Sequence, residues 1–441
     1  MTKDFREQFR KYFIQDPFPY EPGLVATGGN NDTLQIFDGQ KTKSVVDANS
    51  GCWGPISIGY SNPYFLEALS KQAGKLIHTV FGSQEILEFA KKIVSVAPDG
   101  LNKVLQVTCA SHADEVAMRL SWKATGKWGM VVPKQGFHGH ELNVLGLSSA
   151  LWPHLKVDYP TFPHSAIMPN CYCYRCPLGL EYPSCGYKCA YLLEDVIKYG
   201  SPYPPAALIM EPVQQATFSF PPSNEYFKIL GRICKDHDMY FIVDEAQYGG
   251  VGRLGEWFAS QLFEIPSDII VVGKGIGNGV PIGVVITSDE IVERAGIYAD
   301  EKMCKTVIYT THQFDPLVAA AGKAVIEYIE QNNLVSRAKQ LGEYMLRELR
   351  KIQKESRIIG RVDGRGLYIG AEIVKDRETK EPFLEVGDMF TSLALSKGVF
   401  FPPMRGTYLI GIRPPLTVEK KNVDLIINVF AECIKEIEKK M

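Results

Sequence analysis

Asp268-Ile269-Ile270-Val271-Val272-Gly273-Lys274-Gly275 is an apolar run that ends on an amine. Its β-branched residues, bounded by charge at one end and glycine at the other, predict a strand covered on both faces, as in a parallel α/β sheet. Two upstream runs end in the same way, Tyr240-Phe241-Ile242-Val243-Asp244-Glu245 and Ala206-Ala207-Leu208-Ile209-Met210-Glu211. Open α/β sheets hold ligands just beyond the carboxyl ends of their strands. Asp244, Glu211 and Lys274 are therefore expected on one rim, which is a catalytic arrangement in outline. Each also has a plain reading: a lysine after a strand is usually solvated, and an aspartate there usually caps the next helix. The glycines around Lys274 fit close approach of a ligand or another backbone, or else a flexible turn.

Outward from this stretch, residues 85 to 325 alternate helical and strand patterns, the signature of a doubly wound parallel sheet. The expected organisation is an N-terminal arm over 1–60 that joins a small domain, a large domain over 61–325, and an α+β segment over 326–441 that completes the small domain. Within the large domain the strand Lys103-Val104-Leu105-Gln106-Val107 runs into Thr108-Cys109-Ala110-Ser111-His112-Ala113-Asp114-Glu115. Apolar Ala113, Val116, Ala117 and Leu120 predict a helix, with Ser111 as N-cap and Asp114 as its capping-box partner. Backbone N–H groups at such a start can bind an anion. Capping alone explains the segment equally well.

The 441 residues are 45% hydrophobic and 22% charged, with a formal net charge of −2. That is a soluble globular composition, with no electrostatic footprint for nucleic acid or an anionic membrane. The segment Met1-Thr2-Lys3-Asp4-Phe5-Arg6-Glu7 is charged, and no apolar stretch reaches the roughly 20 residues that span a bilayer, so a cytoplasmic protein is expected. Five cysteines cluster, Cys171, Cys173, Cys176, Cys185 and Cys189. The first three have the close spacing of a zinc or iron–sulfur site, but Cys185 and Cys189 fall in a predicted helix start and do not form a matching tight pair. No metal is expected there.

Asp244-Glu245-Ala246-Gln247, then Gly252-Arg253-Leu254-Gly255, then Lys274 within Gly273-Lys274-Gly275-Ile276-Gly277 occur in this order. Phe137-His138-Gly139, Glu211-Pro212-Val213-Gln214, Thr310-Thr311 ahead of Asp315-Pro316, and Pro414-Pro415-Leu416-Thr417 accompany them. From about Val46 onward the chain resembles the class III aminotransferases, pyridoxal-phosphate (PLP) enzymes of fold type I. The resemblance implies a large domain built on a mostly parallel seven-stranded sheet covered by helices, plus a smaller α+β domain. It implies that Lys274 forms a Schiff base with the cofactor and later moves the substrate Cα proton, and that Asp244 keeps the pyridine nitrogen protonated. Gln247 would bond the phenolic oxygen. Phe137 and Ala246 would flank the ring, with His138 and Glu211 also in the pocket. Ala110, Ser111 and His112 would hold the phosphate, and Thr311 would reach the phosphate of the neighbouring subunit in a homodimer.

Three departures from the family pattern matter. The phosphate motif usually reads Gly-Ser-Glu-Ala-Asn-Glu, where this chain has Ala110-Ser111-His112-Ala113-Asp114-Glu115. Thr310-Thr311-His312 is similar to the dialkylglycine decarboxylase branch. An arginine that fixes the substrate α-carboxylate usually stands at the position of Gly411; Arg405 and Arg413 are the nearest replacements, or else ordinary ion-pairing residues. Glu211, which pairs with that arginine in many relatives, would then be left for another task. Family racemases also lack this arginine and are similar around Ser50-Gly51-Cys52-Trp53-Gly54, where Trp53 would line the substrate pocket or simply sit in the core. The expected activity is transfer of an amino group from a primary amine or amino acid to a 2-oxo acid. Racemisation or epimerisation and decarboxylating transamination are the alternatives.

Overall fold

Three short strands begin the first sheet: β1 (Val25–Asn30), β2 (Thr33–Phe37) and β3 (Thr42–Asp47). They pair antiparallel in sequence order, with Val25 opposite Phe37 and Thr33 opposite Val46. This computed structural model describes residue 7 and residues 9–14, 24–150, 162, 164–297, 308, 310–402 and 406–441. The chain divides into two compact units, Met1–Pro63 with Gln340–Met441, and Tyr64–Lys339.

Seven strands form the sheet of the second unit: β4 (Lys103–Val107), β5 (Gly129–Pro133), β6 (Ser165–Met168), β7 (Pro205–Met210), β8 (Tyr240–Asp244), β9 (Ile269–Gly273) and β10 (Gly283–Thr287). Their order is β4-β10-β9-β8-β7-β5-β6, and only β10 runs antiparallel to its neighbours. Strands β5, β7, β8, β9 and β10 are buried at every position, as their unbroken Val, Ile and Met content requires of strands covered on both faces. Each such side chain withdrawn from water stabilises the unit by roughly 1.5–3 kcal/mol. Parallel pairing of Met210 with Val243, and of Asp244 with Val271, aligns the carboxyl ends of β7, β8 and β9. That alignment brings Glu211, Asp244 and Lys274 to one rim.

The helix Ala110–Thr125 lies against this sheet, with Ala113, Val116, Ala117 and Leu120 in a common core with Ile209, Ile242 and Val271. Its start differs from the expected one. Cys109, extended at φ −161°, occupies the N-cap position without a side-chain cap, so Ser111 sits inside the first turn and Asp114 is not its capping partner. The cause is tertiary packing. Gly283 and Gly273 face the helix start so closely that an added Cβ would come within 2.0 Å of the Cys109 carbonyl oxygen and 2.7 Å of the Ala110 Cβ. Of the two readings of the glycines near Lys274, Gly273 therefore answers to the close approach of another backbone.

In the first unit, β11 (Ile359–Arg365), β12 (Tyr368–Ile373) and β14 (Leu409–Ile412) form a second antiparallel sheet, while β13 (Val399–Phe400) joins β3 in parallel. Gly411 pairs with Gly370 across this sheet. No described helix is long and apolar enough to cross a membrane. No described cysteine forms a disulfide.

Candidate active site

Lys274 directly follows β9 and opens a 3₁₀ turn, Lys274–Gly277, with its backbone at φ +48°. A non-glycine residue in the left-handed region is strained, and such strain persists where surrounding structure fixes it, often at functional positions. One strand over, Asp244 ends β8 and is 4% exposed. Its Oδ1 accepts the Ala246 N–H at 3.0 Å, and its Oδ2 lies 2.8 Å from Nδ1 of the buried His138. That bond makes Nδ1 the protonated nitrogen if Asp244 is the acceptor. The His138 N–H in turn donates to Ser148 Oγ at 3.0 Å, which fixes the backbone on which the ring is carried.

Glu211, beyond the end of β7, is not left idle by the glycine at 411. Its Oε1 accepts the Phe137 N–H at 3.1 Å and its Oε2 the Gln215 N–H at 3.0 Å. Burial pushes its carboxyl up to about 7, with the nearby Asp244 charge adding to the effect while His138 and the two amide donors oppose it. Gln215 accepts a hydrogen bond from the side-chain amide of Gln247. Phe137 is half-buried, edge-on to His140 at 5.2 Å between ring centres. Gly139, at φ +127°, lies so close to the helix start that an added Cβ would meet Ser111 Oγ at 1.9 Å.

Ala110, Ser111 and His112 are half-buried in the first turn of the helix Ala110–Thr125. Their backbone N–H groups belong to the orphan donors of a helix start, where the helix dipole also favours an anion. His112 Nδ1 pairs with Thr108 Oγ1 at 3.2 Å. Two further residues became evident only in three dimensions. Glu115 accepts from Asn143 N at 3.1 Å, Asn143 Nδ2 at 2.8 Å and Val144 N at 3.2 Å, and so caps the helix Leu142–Leu147 that carries Ser148 at its end. Glu245 is wholly buried on the opposite side of the strand end, bonded to Ala259 N and Ser260. Its alternation with Asp244 was the available signal.

Thr311 is exposed in the turn ahead of the helix Pro316–Gln331, next to a His312 Nδ1 that lies 2.7 Å from Asp315 Oδ2. Arg405 falls outside the described residues. In the other unit, Arg413 is 0% exposed; its Nε donates to Asn49 Oδ1 at 3.1 Å, and its guanidinium lies 5.1 Å from the ring centre of Trp53 and 5.4 Å from that of Tyr368. Asn49 Oδ1 also accepts the Trp53 N–H at 2.9 Å, so the arginine fixes the turn that carries Trp53. Among the described residues, the groups with three atoms close enough to share one metal ion are His78, His312 and Asp315, and Asp114, His138 and Asp244. Neither includes the thiol cluster.

Within Tyr64–Lys339 a half-buried amine, a clamped carboxylate, an amide donor, a flat aromatic face and a helix start converge on one rim. This donor set fits a phosphorylated pyridine aldehyde: the amine for the aldehyde, Asp244 for a ring nitrogen, the helix start for the phosphate. The family model for class III aminotransferases matches residues 23–434. The leucine/methionine racemase of Thermococcus litoralis is 31% identical over 391 residues, 87% of this chain and 85% of that protein. The taurine–pyruvate aminotransferase of Bilophila wadsworthia is 28% identical, over 96% of this chain and 94% of its own. A solved (S)-enantioselective ω-transaminase from Thermomicrobium roseum shares the fold at a TM-score of 0.88, with 23% identity over 99% of this chain and 98% of that one.

Proposed function

This chain belongs to the class III aminotransferases and uses pyridoxal phosphate; from that premise we propose that it moves the amino group of a primary amine or amino acid to a 2-oxo acid, with Lys274 as covalent anchor and proton carrier. The observation that carries this is the strained Lys274 at the rim, one strand from an Asp244 held by His138 and Ala246. When bound, the cofactor supplies an electron sink for the substrate Cα. The chain's own residues do the rest. Asp244 holds the ring nitrogen, Gln247 donates to the phenolic oxygen, Phe137 and Ala246 flank the ring, and Ser111 with the N–H groups of Ala110 and His112 takes the phosphate. Lys274 would hold the cofactor through its amine and would carry the proton at the substrate Cα. Thr311 is assigned to the phosphate of a second copy in a homodimer.

A second reading, racemisation at Cα, is favoured by Gly411 at the position of the carboxylate-binding arginine and by the likeness to a racemase. The two part on one assay. Holoenzyme is incubated with single-enantiomer leucine or methionine, with and without pyruvate or 2-oxoglutarate. Transfer predicts a new amino acid and a new oxo acid in equal amounts, and no turnover without an acceptor. Loss of optical activity with no acceptor and no oxo acid would replace transfer by racemisation. In Lys274→Ala, either activity is expected to fall at least about 10³-fold.

A further inference from the structure

Asp114 is a carboxylate that the reading above leaves without a task. It projects from the helix Ala110–Thr125, is 0% exposed, and neither of its oxygens has a hydrogen-bond partner. His138 Nε2 is likewise buried and unpartnered, while Nδ1 of the same ring lies against Asp244. One oxygen of Asp114, one ring nitrogen of His138 and one oxygen of Asp244 lie within 4.8 Å of one another. No hydrogen bond joins Asp114 to Nε2 in this structure, and a turn of the carboxyl or one bridging water closes a span of this size. Two buried carboxylates at this separation do not both stay charged without a cation between them.

We propose that Asp114 is a positioning residue for cofactor binding: as a neutral acid it donates its O–H to His138 Nε2, which locks the ring in the tautomer whose Nδ1–H holds Asp244. Nε2 offers a lone pair in that tautomer, so the protonated acid is the complementary partner. Burial drives the Asp114 carboxyl well upward and the Asp244 charge drives it further; Glu211 and Cys109 act in the same direction, and the Lys274 amine opposes them. These groups come from β7, β8, β9 and the turn before the helix, and together they favour the acid form. The consequence is a three-group chain, Asp114 to His138 to Asp244, that presents Asp244 to the ring nitrogen in one orientation. The last step rests on the reading that the cofactor nitrogen meets Asp244.

The test is ¹⁵N NMR of histidine-labelled full-length protein with and without cofactor, with the His138 signals assigned from His138→Gln. Wild type is expected to show a protonated Nδ1 and a hydrogen-bonded, unprotonated Nε2. In Asp114→Asn, whose amide also donates, the same tautomer is expected, and it should persist into alkaline pH where wild type loses it. Asp114→Val is expected to mix tautomers and to weaken cofactor affinity about tenfold. A protonated Nε2 in wild type overturns the proposal even if Asp114→Val does not fold, as does Asp114→Asn behaving like Asp114→Val. Because the cofactor-free spectra read the chain alone, failure there is separate from failure of the amino-transfer assay.

Discussion

At the scale of single residues, the site depends on places where there is no room for a side chain. Gly139 combines a φ of +127° with an imaginary Cβ that would lie 1.9 Å from Ser111 Oγ. Both the strain and the collision act on the hydroxyl assigned to the phosphate. Gly139→Ala is therefore expected to weaken cofactor affinity by at least about tenfold, with a stability cost of roughly 1–3 kcal/mol. Gly126→Ala is the matching control, since Gly126 has a φ of +69° and nothing within 4 Å of its Cβ position. It should cost stability without changing affinity, as measured by titrating cofactor into apoprotein. Equal affinities for the two variants would remove Ser111 from the phosphate site.

At the scale of elements, the end of β8 carries two carboxylates with different duties: Asp244 at the rim, and Glu245 fastening the helix Ala259–Leu262 through Ala259 N at 2.6 Å and Ser260 N at 2.8 Å. Burial pushes the Glu245 carboxyl up to about 7 from its ordinary 4.5, against the pull of those donors. The folded protein thus binds this proton more tightly than the unfolded chain. Its contribution is greatest below about pH 4.5 and is lost as pH rises through about 7, a change of up to about 3 kcal/mol. Glu211, also raised to about 7, slopes the same way. Glu245→Gln should therefore flatten part of the fall in unfolding free energy between pH 5.5 and 8, by roughly 1–3 kcal/mol relative to wild type. Parallel curves for the two proteins would show that Glu245 does not titrate in this range. The strands themselves were legible because a strand buried on both faces has little freedom but to be β-branched and apolar throughout. The helix start was not, because Ser111 and Asp114 satisfy the local capping pattern while the phase is set by contacts with β9 and β10. Nor was the His138–Asp244 pair, which joins positions 106 residues apart. Arg413 read as a replacement carboxylate ligand or a surface ion pair, and its burial beside Trp53 and Tyr368 depends on a sheet pairing that no local pattern encodes.

At the scale of the whole molecule, the assignment of Thr311 to a second copy makes a prediction that no single-chain reading shares. Thr311 is exposed in the turn before the helix Pro316–Gln331, as a residue serving another subunit must be. If each site takes Lys274 from one subunit and Thr311 from the other, a mixed dimer of Lys274→Ala and Thr311→Ala chains carries both lesions in one site and none in the other. Random exchange at equal concentrations makes half the dimers mixed, so about a quarter of all sites should be intact. Activity should then return to about a quarter of the wild-type value from two preparations that are each nearly inactive. A Thr311 acting within its own subunit leaves a lesion in every site of the mixed dimer, because each chain then spoils its own. Co-refolding the two variants and assaying amino transfer decides between these arrangements, and failure to regain activity despite confirmed mixed dimers would place Thr311 and Lys274 in the same subunit's site.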